Sequence, residues 1–310
     1  MEERMKSSNI GGQAVLEGIM MKNGEKYAVA VRKPDGEIEV KLEENHGKKA
    51  GFWRKIPFVR GVFNFVDSLL LGMKTLSYSA SFFEEETGKV ITEEEAAKQK
   101  KKDDFVMALT MILSMVIAMS LFMVLPYFIS NLFQKWIESR FLRTVLESLV
   151  RFLIFIGYIV SVSKLKDIQR TFMYHGAEHK CINCIEHGLE LNIENVRNSS
   201  KEHKRCGTSF LFFVMVVSIL VCFFITVESQ ILRVVLRIAL LPLIAGISYE
   251  IIRLAGNSEN KFVNILSKPG LWLQGLTTKE PEDDMIEVAI RAVEEVFDWR
   301  AYLKENFGEE

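Results

Sequence analysis

Cysteine, histidine and proline are scarce in this chain, at four, five and six residues among 310. The net charge is −1, which excludes a bulk electrostatic attraction to nucleic acid or anionic lipid. No Walker loop occurs, and Gly11-Gly12 precedes no phosphate cradle, so nucleotide chemistry is not indicated. No repeat or low-complexity tract stands out. The first residues lack the apolar centre of roughly 7–15 residues that a secretory signal carries, and the amino terminus is expected to stay in the cytoplasm. There the cysteines are thiols or metal ligands; disulfides would need an oxidising compartment.

What the chain does have is segregated. Residues 84–104 are mostly charged, whereas residues 105–133 carry no charge at all. Phenylalanine (22) and methionine (13) are abundant for a soluble protein. The pattern predicts a mainly α-helical integral membrane protein with about four transmembrane helices and a small β-rich cytoplasmic unit at the amino end. Residues 1–50 form that unit: alternation over Tyr27–Val31 and Glu37–Val40 brackets a Pro34-Asp35-Gly36 turn. Residues 51–83 form an amphipathic interfacial helix starting near Pro57. Its Arg60, Asn64, Asp67 and Lys74 share one face and would be costly in hydrocarbon. Residues 84–104 are a charged linker.

Helices one and two occupy 105–163, with Pro126 a candidate kink and Arg143, Glu147 and Arg151 stacked on one side of the second. Helices three and four occupy 207–254, separated from the first pair by a cytoplasmic loop, 164–206. The tail, 255–310, ends in an amphipathic helix that begins after Pro281 and either covers the β-rich unit or docks on a second copy in a homo-oligomer. Four crossings and the eight Lys and Arg of the 164–206 loop place both termini on the inner face, although Lys135, Arg140 and Arg143 fall on the outer side.

That loop holds four of the five histidines and three of the four cysteines. His175-x-x-Glu178-His179 is an H-x-x-E-H pattern: on a helix both imidazoles stand one turn apart on one face, and the glutamate is placed to serve as general base. Cys181-x-x-Cys184 and His203-x-x-Cys206 overlap it. Two groupings are open. In one, His175, His179 and either His203 or Cys206 bind a metal and leave an open position beside Glu178. In the other, Cys181, Cys184, His203 and Cys206 close a structural zinc knuckle. His187 and His46 are bystanders, and Cys222 packs in an apolar helix. Glu17, beside Gly18, and Glu250, at the end of the fourth helix, have either a functional or a plain structural role.

The stretches Gly11-Gly12-Gln13-Ala14-Val15-Leu16-Glu17-Gly18-Ile19-Met20-Met21, Pro57-Phe58-Val59-Arg60-Gly61, Tyr174-His175-Gly176-Ala177-Glu178-His179-Lys180 and Arg205-Cys206-Gly207-Thr208-Ser209 resemble the YqhQ-like family. So do Ser248-Tyr249-Glu250 and Lys268-Pro269-Gly270-Leu271-Trp272-Leu273-Gln274, and the likeness runs nearly end to end. The resemblance implies a bacterial inner-membrane protein of a family of unknown function, described as predicted metal-dependent enzymes. It includes the histidine motif and His203-x-Arg205-Cys206 but not Cys181-x-x-Cys184, which favours the first grouping. Lys204 stands where the family pattern has proline.

The expected function is a membrane-embedded hydrolase dependent on zinc or another divalent transition metal. Glu178 is its base, His175, His179, His203 and Cys206 are its candidate ligands, and a peptide or lipid-linked compound is its substrate. The rival is a non-catalytic scaffold or transporter with a structural metal. A thiol-redox role for Cys181 and Cys184 lacks the βαβ context it needs.

Overall fold

The computed structural model describes residues 6–44, 52–83, 93–225, 227, 229–256 and 260–308. His46 and the first nine residues of the charged linker lie outside them. The chain divides into two compact units. One comprises Met1–Phe83, Val160–Ser218 and Ala239–Glu310; the other comprises Glu84–Ile159 and Ile219–Ile238.

In the first unit, β1 (Ile10–Val15), β2 (Gly18–Asn23), β3 (Lys26–Arg32) and β4 (Ile38–Glu44) form an antiparallel meander in chain order. The β3–β4 turn falls over Pro34-Asp35-Gly36, where Gly36 takes φ 90° and the Asp35 carboxylate accepts from the Glu37 N–H. Leu16 and Glu17 alone turn β1 into β2, pairing Val15 with Gly18 and putting Glu17 at φ 48°. Gly18 then lies so close to β3 that a Cβ would sit 2.3 Å from the Ala30 carbonyl oxygen.

Alternation along the strands gives the sheet two apolar faces. Ile10, Ile19, Met21 and Ala30 point to a core shared with α5 (Lys166–Glu186) and α11 (Asp283–Val296). Val15, Met20, Tyr27, Val29 and Val31 point the other way, onto Leu71, Tyr78 and Phe82 in and just after α1 (Val59–Ala80). The sheet is therefore covered on both sides by helices that come from distant parts of the chain. The apolar stripe expected for the tail is α11, and Met285, Ile286, Val288, Ala289, Ala292 and Val293 are all buried in that core.

Among the described residues, four helical stretches are long and apolar enough to cross a membrane: Lys101–Lys135, Phe141–Val162, Gly207–Phe224 and Leu232–Gly256. In the first, α2 (Glu93–Met119) passes into α3 (Leu125–Leu132) through a π turn at Ser120–Val124. Pro126 lacks the N–H that would bond to the Phe122 carbonyl, and the widened turn takes up the mismatch. In the second unit, Glu147 on α4 (Arg140–Val162) accepts from Arg151 at 3.1 Å and from Arg237 on α8 (Gln230–Ala239) at 3.0 Å. The charges expected to pair along one helix therefore also draw in a residue from another.

The 164–206 stretch, expected as a connecting loop, is largely helical. It contains α5 and the short α6 (Ile193–Asn198), and α7 (Gly207–Phe224) follows it directly. α9 (Leu241–Gly256), α10 (Lys261–Thr277) and α12 (Trp299–Phe307) complete the chain.

A candidate metal centre between α5 and the start of α7

α5 carries His175, Glu178 and His179 on its buried second half. Two segments are laid across it. The strap after α10 crosses at Gly176, where the Lys279 carbonyl oxygen would lie 2.0 Å from any added Cβ; the Lys279 N–H donates to the Phe172 carbonyl at 2.9 Å. The segment leading to α7 crosses farther along. Lys180 Nζ donates to the carbonyls of Arg197 (2.9 Å) and Ser199 (2.8 Å), and Asn183 Nδ2 to those of Ser200 (2.6 Å) and Glu202 (2.9 Å). Carbonyls left free by irregular backbone are thus satisfied by one face of α5, which fixes where residues 203–206 begin.

The same crossings orient the imidazoles. His175 Nδ1 lies 3.0 Å from the Thr277 carbonyl oxygen, and His179 Nδ1 lies 2.6 Å from that of Lys201. A carbonyl only accepts, so each Nδ1 donates its proton, which in the neutral ring leaves the lone pair on Nε2. His175 Nε2 is 3.2 Å from Cys206 Sγ, and the ligand atoms of His175, His179 and Cys206 all lie within 4.8 Å of one another. The Thr208 N–H donates to Cys206 Sγ at 3.3 Å, a partner suited to a sulfur carrying negative charge.

Bond lengths of about 2.0–2.3 Å to zinc put tetrahedral ligands roughly 3.5 Å apart. The two imidazoles and one sulfur fit such an ion. Their carbonyl partners are the supports that metal-bound histidines use.

Glu178 is not in this group. Its carboxyl is buried against β1, where Gly12 donates its backbone N–H and a Cβ on Gly12 would come within 3.0 Å of the Glu178 Cδ. Burial raises its pKa, while the neighbouring His175 and the Gly12 N–H act in the opposite direction.

His203 stands apart too: its Nε2 is 3.3 Å from Glu186 Oε2, its ring centre is 5.8 Å from that of His179, and burial lowers its pKa. Gln274 on α10 pins its backbone, accepting from the His203 N–H at 3.0 Å and donating to its carbonyl at 2.7 Å. Cys181 and Cys184 pack in the apolar core, with pKa values raised by burial, Cys184 to about 11. His175, His179 and Cys206 are brought together; Cys181, Cys184 and His203 are not among them.

His187 Nδ1 lies 2.7 Å from the Asn183 carbonyl. Glu17 forms a two-pronged ion pair with Arg170 on α5 (2.6 Å to each oxygen), which anchors the β1–β2 turn. Glu250 on α9 accepts from Arg60 and from the Phe58 N–H, and lies 3.9 Å from Arg253.

Sequence reasoning missed Glu186. Its side chain is fully buried, accepting from Ser8 N–H and Oγ (both 2.7 Å), Arg205 and His203. Its only trace in the sequence is a polar stretch that reads as surface. Gln274 and Thr277 were missed as supports, although Gln274 falls within the Lys268–Gln274 stretch that carries the family resemblance.

Residues 56–299 match the family described as "Protein of unknown function (DUF1385)". The chain belongs to that family. It is also 36% identical over 303 residues to the "Uncharacterized protein YqhQ" of Bacillus subtilis (strain 168), covering 96% of this chain and 94% of the relative. No solved structure matches the chain. The DUF1385 match spans α1 through the start of α12, so the three clustered side chains and both straps that orient them fall inside the family region.

Proposed function

We propose that the chain is a multi-pass protein of the bacterial cytoplasmic membrane, with both termini inside, and that His175, His179 and Cys206 hold a zinc ion serving hydrolysis at the inner face. The observation that carries this is the convergence of three ligand atoms, with both Nδ1 protons committed to backbone carbonyls. Three protein ligands are the number that leaves a tetrahedral ion one position for chemistry. Zinc bound by these residues would supply Lewis acidity toward a water or substrate oxygen. Glu178, one residue from His179 and screened from solvent, holds or moves a proton at its carboxyl oxygen. A peptide or lipid-linked compound fits a site on the same unit as the starts and ends of apolar helices.

The test is metal analysis of the purified protein together with Glu178→Gln. The variant should keep its zinc and lose cellular function. Full function with zinc retained would remove Glu178 from the chemistry.

A second reading has its own support: His179 and Cys206 are 1% and 6% exposed. An ion so enclosed can instead clamp α5 to the start of α7, as a scaffold or transporter would use it. X-ray absorption of the zinc protein separates the two, since a fourth protein ligand favours the clamp and an exchangeable oxygen the hydrolase.

A further inference from the structure

α1 is built inside out. The residues it turns toward the fold are small: Gly61 packs on Gly246 and Tyr249 of α9, Gly72 on Gln13 of β1, and Thr75 and Ser79 are buried. Apart from Leu71 and Tyr78, which meet the sheet, many of its large apolar side chains point away. Phe63, Val66 and Leu70 are exposed, as are Phe58 and, in the 3-10 turn Phe52–Lys55 before it, Phe52 and Trp53 at 73% and 64%.

What α1 packs on says what covers that face. Gly246, Tyr249 and Glu250 lie within the apolar stretch Leu232–Gly256, and Phe210, whose ring centre is 5.4 Å from that of Phe65, lies within Gly207–Phe224. At 1.5 Å per residue, 25 residues run about 38 Å, roughly 8 Å more than a hydrocarbon core of about 30 Å, which sets Gly246 roughly 10 Å below its edge. The start of α1 is held at that depth. Gly246 touches the Phe58 carbonyl, Phe58 adopts φ 67°, and its N–H reaches Glu250. Two of the charges there are paired in place, Arg60 with Glu250 and Arg54 with Asp67, while Lys55 is exposed. Farther along, Thr75 and Ser79 bring the helix out beneath the sheet, where the Ser79 hydroxyl accepts from the Leu16 N–H.

We propose that Phe52–Val66 is a re-entrant element. The chain dips into the leaflet at which α7 begins and α9 ends, presents Phe52, Trp53, Phe58, Phe63 and Val66 to lipid acyl chains, and returns along α1 to the sheet. This rests on the membrane-spanning role given above to α7 and α9.

The test uses the full chain in phosphatidylcholine–phosphatidylglycerol vesicles containing lipids brominated midway along the acyl chain. Trp53 emission is isolated as the difference from Trp53→Phe. That component should lose most of its intensity to brominated lipid and little to aqueous iodide. Iodide quenching without bromolipid quenching would overturn the proposal, as would protection from both, the result expected if a second copy covered the face. Leu220→Trp, on an exposed position of α7, separates the two failures. Loss of its bromolipid quenching would sink the spanning assignment itself; quenching there but not at Trp53 sinks only the re-entrant element.

Discussion

Glu186 ties a measurable pH dependence to a buried network. Removal from water raises its carboxyl pKa, but the hydrogen bond from His203, the charges of Arg205 and His203 and the Ser8 N–H outweigh this and bring it from 4.5 to about 2. At about 1.36 kcal/mol per pH unit, that difference corresponds to roughly 3 kcal/mol of folding stability. The folded value lies below the unfolded one, so on acidification the unfolded chain takes up its proton first. The stabilisation is therefore complete above about pH 5 and drains away as pH falls from the unfolded value toward the folded one. Glu186→Gln removes the charge while keeping the shape, leaves Arg205 without its counter-charge and gives the buried His203 a neutral acceptor. Thermal unfolding in detergent at a series of pH values should show the variant weaker by about 3 kcal/mol near neutrality. The gap should close steadily as pH falls from about 4.5 toward 2, because the unfolded parent then takes up a proton that the folded parent, its carboxyl still ionised, does not. A gap that is absent at pH 7, or equally wide at pH 3, would refute the ion-pair account and leave Glu186 a packing residue.

Two further outcomes concern the candidate centre. Gly176→Ala forces the strap at Lys279 to move, because its carbonyl oxygen lies 2.0 Å from the new Cβ. It should cost about 1–3 kcal/mol in unfolding and weaken zinc retention through the displaced Thr277 carbonyl, whereas Gly275→Ala, with nothing within 4 Å, should be neutral or slightly stabilising. Cys206→Ser should lower zinc stoichiometry in metal analysis, while His203→Ala should preserve it at a cost in stability; zinc lost equally from both would return His203 to the ligand set.

The elements legible in the sequence are those whose cause is local. Pro34-Asp35-Gly36 contains its own turn chemistry, and the apolar spacing of α11 states which face is covered without saying by what. His175 and His179 are one helical turn apart, so their alliance needs only a helix. α1 is legible as amphipathic, but the sequence does not say what its polar stripe meets. The partners that neutralise Arg60, Asp67 and Lys74 are Glu250, Arg54 and Glu43, all of them outside α1. With those pairs in place, the cost of burying charge no longer separates a surface helix from one set deeper.

The choice between His203 and Cys206 depends on distance along the chain in another way. Spacing makes them equivalent, because both follow the same polar stretch and both belong to one H-x-x-C pattern. What separates them is the register in which that stretch lies across α5. Lys180 and Asn183 capture four carbonyls between Arg197 and Glu202, and His179 captures a fifth, so residue 203 emerges opposite Glu186 rather than beside His175. Gln274 then grips both backbone groups of His203 from α10. Only after that turn, with Thr208 already in the first turn of α7, does the Cys206 sulfur come within 3.2 Å of His175 Nε2. The ligand set is thus chosen by backbone carbonyls, which look the same at every position of a sequence, and by which side chains from elsewhere reach them.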